Sequence, residues 1–264
     1  MSRPVCLITG GTSGIGKCTA EAMKQAGYTV YELSRREQGV EGFFHIPTDV
    51  TDEAAVQRAV NEVLTHEDGI DVVINNAGFG ISGAVEFTDT EAAKRQFDVN
   101  FFGMVRVNHA VLPILRKQGK GRIVNLSSVA GTVPIPFQTY YSASKAAINS
   151  YTMALANEVR PFGVTVCAVQ PGDIRTGFTA ARQKTQIGDD IYGGRISRSV
   201  AGMERDEQNG MQPETAGRFI ARVAMKTGRK PIYTIGFAYK LACFLVWLLP
   251  KTALNWLVGK IYAK

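Results

Sequence analysis

The segment PVCLITGGTSGIGKCTAEAMKQAGYTVYELSRR, residues 4–36, changes its hydrophobic period twice within one short unit. Val5 to Ile8 is a continuous apolar run, the pattern of a parallel strand covered on both faces. It runs into Thr9-Gly10-Gly11-Thr12-Ser13-Gly14-Ile15-Gly16. Behind that turn Ala20, Met23 and Ala26 mark one side of an amphipathic helix, and Thr29 to Leu33 reads as a second strand. Strand, glycine turn, helix and strand in this order make a βαβ unit. The glycines permit a tight turn and a close approach of main chain to a pyrophosphate. The start of the helix offers free amides to the anion. The spacing is Gly10-x-x-x-Gly14-x-Gly16 rather than the general G-x-G-x-x-G.

The second strand runs out into Ser34-Arg35-Arg36. A site for NAD(H) usually places an acid near this point to hold the ribose 2′-hydroxyl, whereas an arginine suits a 2′-phosphate. Arginine brings a planar, permanently charged fork for phosphate. The expected cofactor is therefore NADP(H).

Strand-like runs continue down the chain at Phe43–Pro47, Asp71–Asn75, Arg122–Ser127, Val164–Val169 and Pro231–Thr234, alternating with helical stretches. That alternation predicts an α/β fold with a doubly wound parallel sheet. The 264 residues suffice for one large domain with a full core, and no linker, repeat or low-complexity run divides them. The longest helical stretch, about Thr90 to Lys117, contains Pro113, which should kink or end it late.

Tyr141 and Lys145 stand one helical turn apart in YYSASKAAINSY, so both leave the same helix face. A tyrosine loses its proton near pH ~10, and an adjacent ammonium lowers that value. Such a tyrosine exchanges a proton with a carbonyl or alcohol oxygen near neutral pH. Tyr140 has Ser144, not a lysine, four residues on, and reads as a pocket or core residue.

With these features in place, residues 4 to 235 resemble the short-chain dehydrogenase/reductase family in its single-domain form, a Rossmann fold. TGGTSGIG at 9–16 is similar to the family's cofactor motif, with contacts implied for Gly10, Thr12, Ser13, Gly14, Ile15 and Gly16. The resemblance adds Ser34, Arg35 and Arg36 at the adenosine end. It also adds Asp49-Val50 as the adenine-contacting pair and Asn76-Ala77-Gly78 within NNAG. Asn100 in DVNFFG matches the asparagine of the catalytic tetrad, and Ser128 stands thirteen residues before Tyr141, as the family's serine does. Ser127 is the other candidate hydroxyl. Pro171-Gly172, Ile174 and Thr176 resemble the loop that grips the nicotinamide carboxamide. The implied tetrad is Asn100, Ser128, Tyr141 and Lys145. Lys145 would also hold the nicotinamide ribose, and Asn100 would anchor a water linking Lys145 to solvent. Two departures stand out. Ser13 lies where some NADP enzymes of the family carry a basic residue, and Asp173 follows Pro-Gly where apolar residues are common.

The cofactor half then spans about 1–125, the catalytic and substrate part about 126–235, and an apolar, basic helical extension 236–264. Net charge is +7, and residues 226 to 264 carry seven basic side chains and no acid. No nucleic-acid module accompanies this charge. The apolar run Leu241 to Leu249 has nine residues, against the ~20 of a spanning helix. The extension should therefore either cover the pocket or a subunit contact, in a homo-dimer or tetramer, or lie on a membrane surface. The four cysteines are widely spaced and read as reduced thiols of a cytoplasmic protein. The three histidines show no ligand spacing, so no metal is expected. No signal peptide is expected before Pro4.

Val129 to Phe137 is apolar, and Gly177 to Met211 is a polar insert expected to form a mobile lid. These features suggest a small lipophilic ketone or alcohol. The resemblance leans to hydroxysteroid dehydrogenases with steroid or bile-acid-like substrates. A membrane-surface keto-lipid reductase is the alternative, and a non-catalytic NADP(H)-binding regulator the remote one.

Overall fold

The computed structural model describes residues 3–263. Its first half comprises β1 (Val5–Thr9), α1 (Gly14–Gln25), β2 (Thr29–Ser34), β3 (Phe44–Pro47), α2 (Glu53–His66), β4 (Val72–Asn75) and β5 (Ile81–Ser82). Next come α3 (Thr90–Phe97), α4 (Gly103–Gln118), β6 (Gly121–Leu126), α5 (Thr139–Glu158) and β7 (Val164–Gln170). The last part holds α6 (Phe178–Ala181), β8 (Gln183–Lys184), α7 (Arg195–Gln208), α8 (Pro213–Ala224), β9 (Ile232–Thr234), α9 (Phe237–Leu248) and α10 (Lys251–Tyr262).

Seven strands form one parallel sheet in the order β3-β2-β1-β4-β6-β7-β9. Each expected strand is present, within one residue at either end. The chain winds outward from β1 in one direction and from β4 in the other. The crevice between their carboxyl ends is the topological switch point where such sheets bind ligands. Helices cover both faces. On one, Val60, Val63, Val107, Val111, Leu115 and Leu155 pack with Leu7, Val73 and Ile123. On the other, Ala20, Met23, Ile220 and Val223 pack with Ile8, Ile74, Val124 and Val169. Gly217 lets α8 close on α1, since a Cβ there would lie 2.7 Å from the Cβ of Cys18.

The long helical stretch departs from expectation. Pro113 lies inside α4 without ending it. Its missing amide would have met the carbonyl of His109, an exposed residue, so the lost bond falls on the outer face of the helix. The irregularity falls earlier, in a π-helical turn over Asp98–Phe102 that carries Asn100. The insert expected as a mobile lid is ordered into α6, β8 and α7, and β8 pairs in parallel with β5.

Candidate active site

The glycine turn leaves β1 at the switch point. Gly10 (φ +66°) and Gly14 (φ +53°) take left-handed conformations that side chains disfavour. A Cβ on Gly16 would lie 2.2 Å from the Gly10 carbonyl oxygen. The Thr9 hydroxyl accepts from the amides of Asn76 and Ala77, both at 3.0 Å. The Asn76 amide group donates to the carbonyls of Thr9 and Gly10, both at 3.0 Å. The segment after β4 is thus bolted to the turn. Ser13 is the N-cap of α1, makes no side-chain capping bond, and no acid stands in the first helical turn. The first amides of α1 therefore stay open to an anion. Thr12 is buried, and Ile15 packs partly into the core beneath. Thr176 comes over the turn, 3.5 Å from where a Cβ on Gly14 would stand. This cradle, which any added Cβ would fill, fits the pyrophosphate of a dinucleotide.

Arg35 and Arg36 follow β2 and are exposed. Among the described residues neither guanidinium has a carboxylate partner. Asp49 accepts from the amide and hydroxyl of Thr51, at 2.9 and 2.8 Å. Val50 is buried against Gly103. Sequence reasoning overlooked Glu32, a buried acid in β2. It accepts from the amide of Gly11 at 2.9 Å and faces His45 Nδ1 at 2.6 Å. An acid inside an otherwise apolar strand was the available signal.

The second cluster lies beyond β6. Ser128 caps a short 3₁₀ turn, accepting from the amide of Ala130 at 3.1 Å, and its hydroxyl lies close enough to the Tyr141 phenol to lower its pKa. The Ser127 hydroxyl instead donates to the Lys145 carbonyl at 2.9 Å. Of the two serines, only Ser128 faces the phenol. Lys145 is buried, its Nζ donates to the Leu126 carbonyl at 2.7 Å, and it stands 5.7 Å from the Tyr141 ring centre. Burial pulls the Lys145 ammonium down to about 8. Burial also pushes the Tyr141 phenol up to about 12; Ser128 and Arg182 oppose the rise and Glu207 and Asp173 add to it. The expected drop of the tyrosine toward neutrality by Lys145 does not occur here. Desolvation outweighs the neighbouring charges, and the lysine charge is itself disfavoured by burial.

Asn100 is buried in the π turn. Its Oδ1 accepts from the Phe79 amide at 2.9 Å. Its Nδ2 donates to the Phe79 carbonyl at 3.0 Å and to the Ser144 hydroxyl at 3.3 Å. The side chain is thereby held by the Phe79 backbone and by Ser144. Gly78 lies between, where a Cβ would stand 3.0 Å from Asn100 Oδ1 and 3.7 Å from Lys145 Nζ.

The insert closes this cluster from above. Phe178 in α6 packs 5.8 Å, centre to centre, from the Tyr141 ring. Arg182 lies over the other part of Phe178 and pairs with Glu207 of α7. The loop after β7 completes the wall. The carbonyl of Pro171 accepts from the amide of Val129 at 3.0 Å, and Ile174 is buried and bridged to Met211. Gly172 lies flat against the ring of Tyr239 in α9, and the Tyr239 hydroxyl donates to Asp173 Oδ2 at 2.6 Å. The acid after Pro-Gly is therefore a tether for the C-terminal extension. Neither Phe178 nor Tyr239 carried a sequence signal, because their partners are fixed only by the fold.

Residues 4–187 match the family model described as short chain dehydrogenase. The chain belongs to the short-chain dehydrogenase family. It is an oxidoreductase acting on CH–OH groups. A relative from Bacteroides thetaiotaomicron, named 3-ketodihydrosphingosine reductase, is 40% identical over 229 residues, 86% of this chain and 85% of its own. A short-chain dehydrogenase structure from Streptomyces avermitilis aligns with a TM-score of 0.84 at 29% identity, covering 98% of this chain and 96% of that one. The structure described as ElxO with NADP bound aligns with a TM-score of 0.75 at 25% identity, covering 91% of this chain and all of that one.

Proposed function

We propose that this enzyme reduces the ketone of a lipid to a secondary alcohol with NADPH, and that Asn100, Ser128, Tyr141 and Lys145 are its catalytic set. The observation that carries the reading is the grouping of Ser128, the Tyr141 phenol and buried Lys145, whose Nζ stands 5.7 Å from the Tyr141 ring centre, one sheet crevice away from the dinucleotide cradle. The bound cofactor supplies the hydride. Ser128 donates a hydrogen bond to the substrate oxygen as negative charge develops. Tyr141 gives its proton to that oxygen. A phenol held at about 12 is protonated at neutral pH and can serve as the acid toward a developing alkoxide. Lys145 holds the nicotinamide ribose and brings positive charge to the site. Asn100 is a positioning residue, fixing Phe79 and through it the segment beside Lys145.

The glycine turn would hold the pyrophosphate, Arg35 and Arg36 the 2′-phosphate, Asp49 and Val50 the adenine, and the 171–176 loop the carboxamide. A relative bound to NADP and the two unpaired arginines support NADP(H).

The substrate class rests on the 40% identical keto-lipid reductase and on apolar surroundings: Phe178 on Tyr141, and Phe137 with Ile135 near the end of α10. The relative named for a keto-sphingoid substrate supports the keto-lipid reading over the steroid leaning. The deciding assay follows NADPH absorbance with a 3-keto sphingoid base and with a keto-steroid. Faster turnover of the steroid at matched concentration overturns the substrate assignment.

A further inference from the structure

Helix α9 turns an apolar stripe away from the protein. Phe237, Leu241, Phe244 and Leu248 recur at i, i+4, i+7 and i+11, which places them on one face, and all four are exposed. Phe237 is 83% exposed and Trp247, beside the stripe, 80%. The opposite face is already used: Tyr239 on Gly172 and Asp173, Cys243 toward Gln170, and Val246 buried. Helix α10 repeats the arrangement. Trp256, Leu257 and Ile261 are exposed, whereas Val258 is buried and Tyr262 packs with the group around Phe137 and Ile196. A soluble monomer ordinarily shows contiguous apolar patches of at most a few hundred Å², and this many large exposed apolar side chains on two successive helices call for a cover.

The charges carried by α9 and α10 themselves have one sign, although Asp206 of α7 is near enough to Tyr262 to act on it. Lys240, Lys251 and Lys260 are exposed, with Lys260 Nζ over the Trp256 ring at 5.9 Å. No aspartate or glutamate occurs from residue 226 onward. No helix among the described residues is long and apolar enough to cross a membrane.

We propose that α9 and α10 dock the protein on an anionic lipid surface, lying in its plane with the outward stripe immersed. The sign of the charge argues for this occupant over a second copy of the chain. A two-fold contact between these helices would bring the lysines of one copy to those of the other, and neither α9 nor α10 carries an aspartate or glutamate to answer them. Anionic headgroups answer all three, and tryptophans are suited to the water–lipid boundary. Helix α9 touches the loop after β7 on its inner side, so docking sets the site one helix away from the bilayer. The proposal stands on the exposed face and is independent of the substrate assignment.

The test uses the full chain and flotation with vesicles of phosphatidylcholine alone or with roughly one-third phosphatidylglycerol. The parent protein should float with the anionic vesicles roughly tenfold more tightly than with the neutral ones, and less as salt rises. Phe244→Glu with Leu248→Glu should lose roughly tenfold or more of that binding while the melting temperature and circular dichroism hold. Lys251→Glu with Lys260→Glu should remove the preference for the anionic lipid. Absence of flotation by the parent overturns the proposal. So does a concentration-dependent dimer that Phe244→Glu dissociates, which would assign the face to a second copy. Reduction of a water-soluble ketone without vesicles, measured on the same samples, reports the catalytic reading separately.

Discussion

Glu32 and His45 face each other across neighbouring strands in register, with Glu32 Oε2 2.6 Å from His45 Nδ1. The other ring nitrogen of His45 lies 2.7 Å from the Arg36 carbonyl. A carbonyl only accepts, so Nε2 carries a proton and donates it there. Glu32 in turn accepts from the Gly11 amide at 2.9 Å. A Cβ on Gly39 would lie 2.3 Å from the Cβ of His45, so the loop after β2 is folded onto this histidine. One pair, a buried Glu32 and a half-buried His45, therefore connects the glycine turn to the segment bearing both arginines. Glu32→Gln keeps the shape and removes the charge. A charge-assisted bond of ~1.5–3 kcal/mol makes the expected loss of NADPH affinity roughly tenfold or more, with kcat nearly unchanged. Titrating NADPH fluorescence against the variant checks this, and an unchanged dissociation constant refutes the coupling.

Arg35 carries the cofactor preference in this reading. Arg35→Asp replaces a phosphate-binding fork with a like charge and an acceptor for a ribose hydroxyl. The parent should bind NADPH roughly tenfold or more tightly than NADH, and the variant should reverse that order. Equal dissociation constants for the two cofactors in the parent would remove the basis for the assignment.

The buried lysine links activity to pH and to stability. Lys145 is pulled from 10.5 to about 8 by burial, so its ammonium is lost as pH rises through about 8. Reductive kcat/KM should therefore fall above pH 8, long before Tyr141, held at about 12, ionises. Tyr141→Phe should abolish turnover at every pH while NADPH binding persists. The stability effect has the opposite trend. Below about 8 the native state carries a charge that burial disfavours, and between 8 and 10.5 the unfolded chain binds more protons than the native one. Stability contributed by this group thus rises with pH across that window. Lys145→Met should lose activity yet melt no lower than the parent at pH 7, with its relative advantage shrinking toward pH 10. A melting temperature well below the parent's at pH 7 would show that the Leu126 contact matters more than desolvation.

The sheet was legible because its cause is local: apolar runs of strand length, each ended by a turn residue, at helix-length intervals. The site was legible where sequence order alone brings residues to the switch point, as for the glycine turn, Asn76 and Gly78. Ser128 could be named only by its distance from Tyr141; the structure separates it from Ser127 by which hydroxyl the Lys145 carbonyl occupies. What escaped depends on contacts between distant segments. Phe178 meets Tyr141 from 37 residues away, since 178 − 141 = 37. Glu32 and His45 meet because β2 and β3 pair in that register. The tyrosine pKa was misjudged for a related reason. Spacing shows which charge is near, whereas burial, which dominates here, is a property of the packed site.

Tyr239 offers a separate test of how the C-terminal extension supports the site. Its ring covers Gly172. Its hydroxyl donates to Asp173 Oδ2 at 2.6 Å and accepts from the Asp173 amide at 3.1 Å. Burial raises the Asp173 carboxyl above its ordinary value, and the Tyr239 bond opposes that rise. Tyr239→Phe keeps the ring and removes the side-chain donor that Asp173 has among the described residues. The native pKa then climbs further above the unfolded 3.8, so the native state binds more protons than the unfolded chain over a wider span above pH 3.8. Stability falls with rising pH wherever that holds. The variant should therefore lose more melting temperature at pH 7 than at pH 4. The loss at pH 7 should be of order 1–3 kcal/mol, the usual cost of an unanswered buried acceptor. Because the same bond steadies the loop from Pro171 to Thr176, KM for NADPH should rise as well, while vesicle binding stays as in the parent. Equal losses at both pH values would mean that Asp173 is solvated in the folded protein and that the tether rests on the ring contact alone.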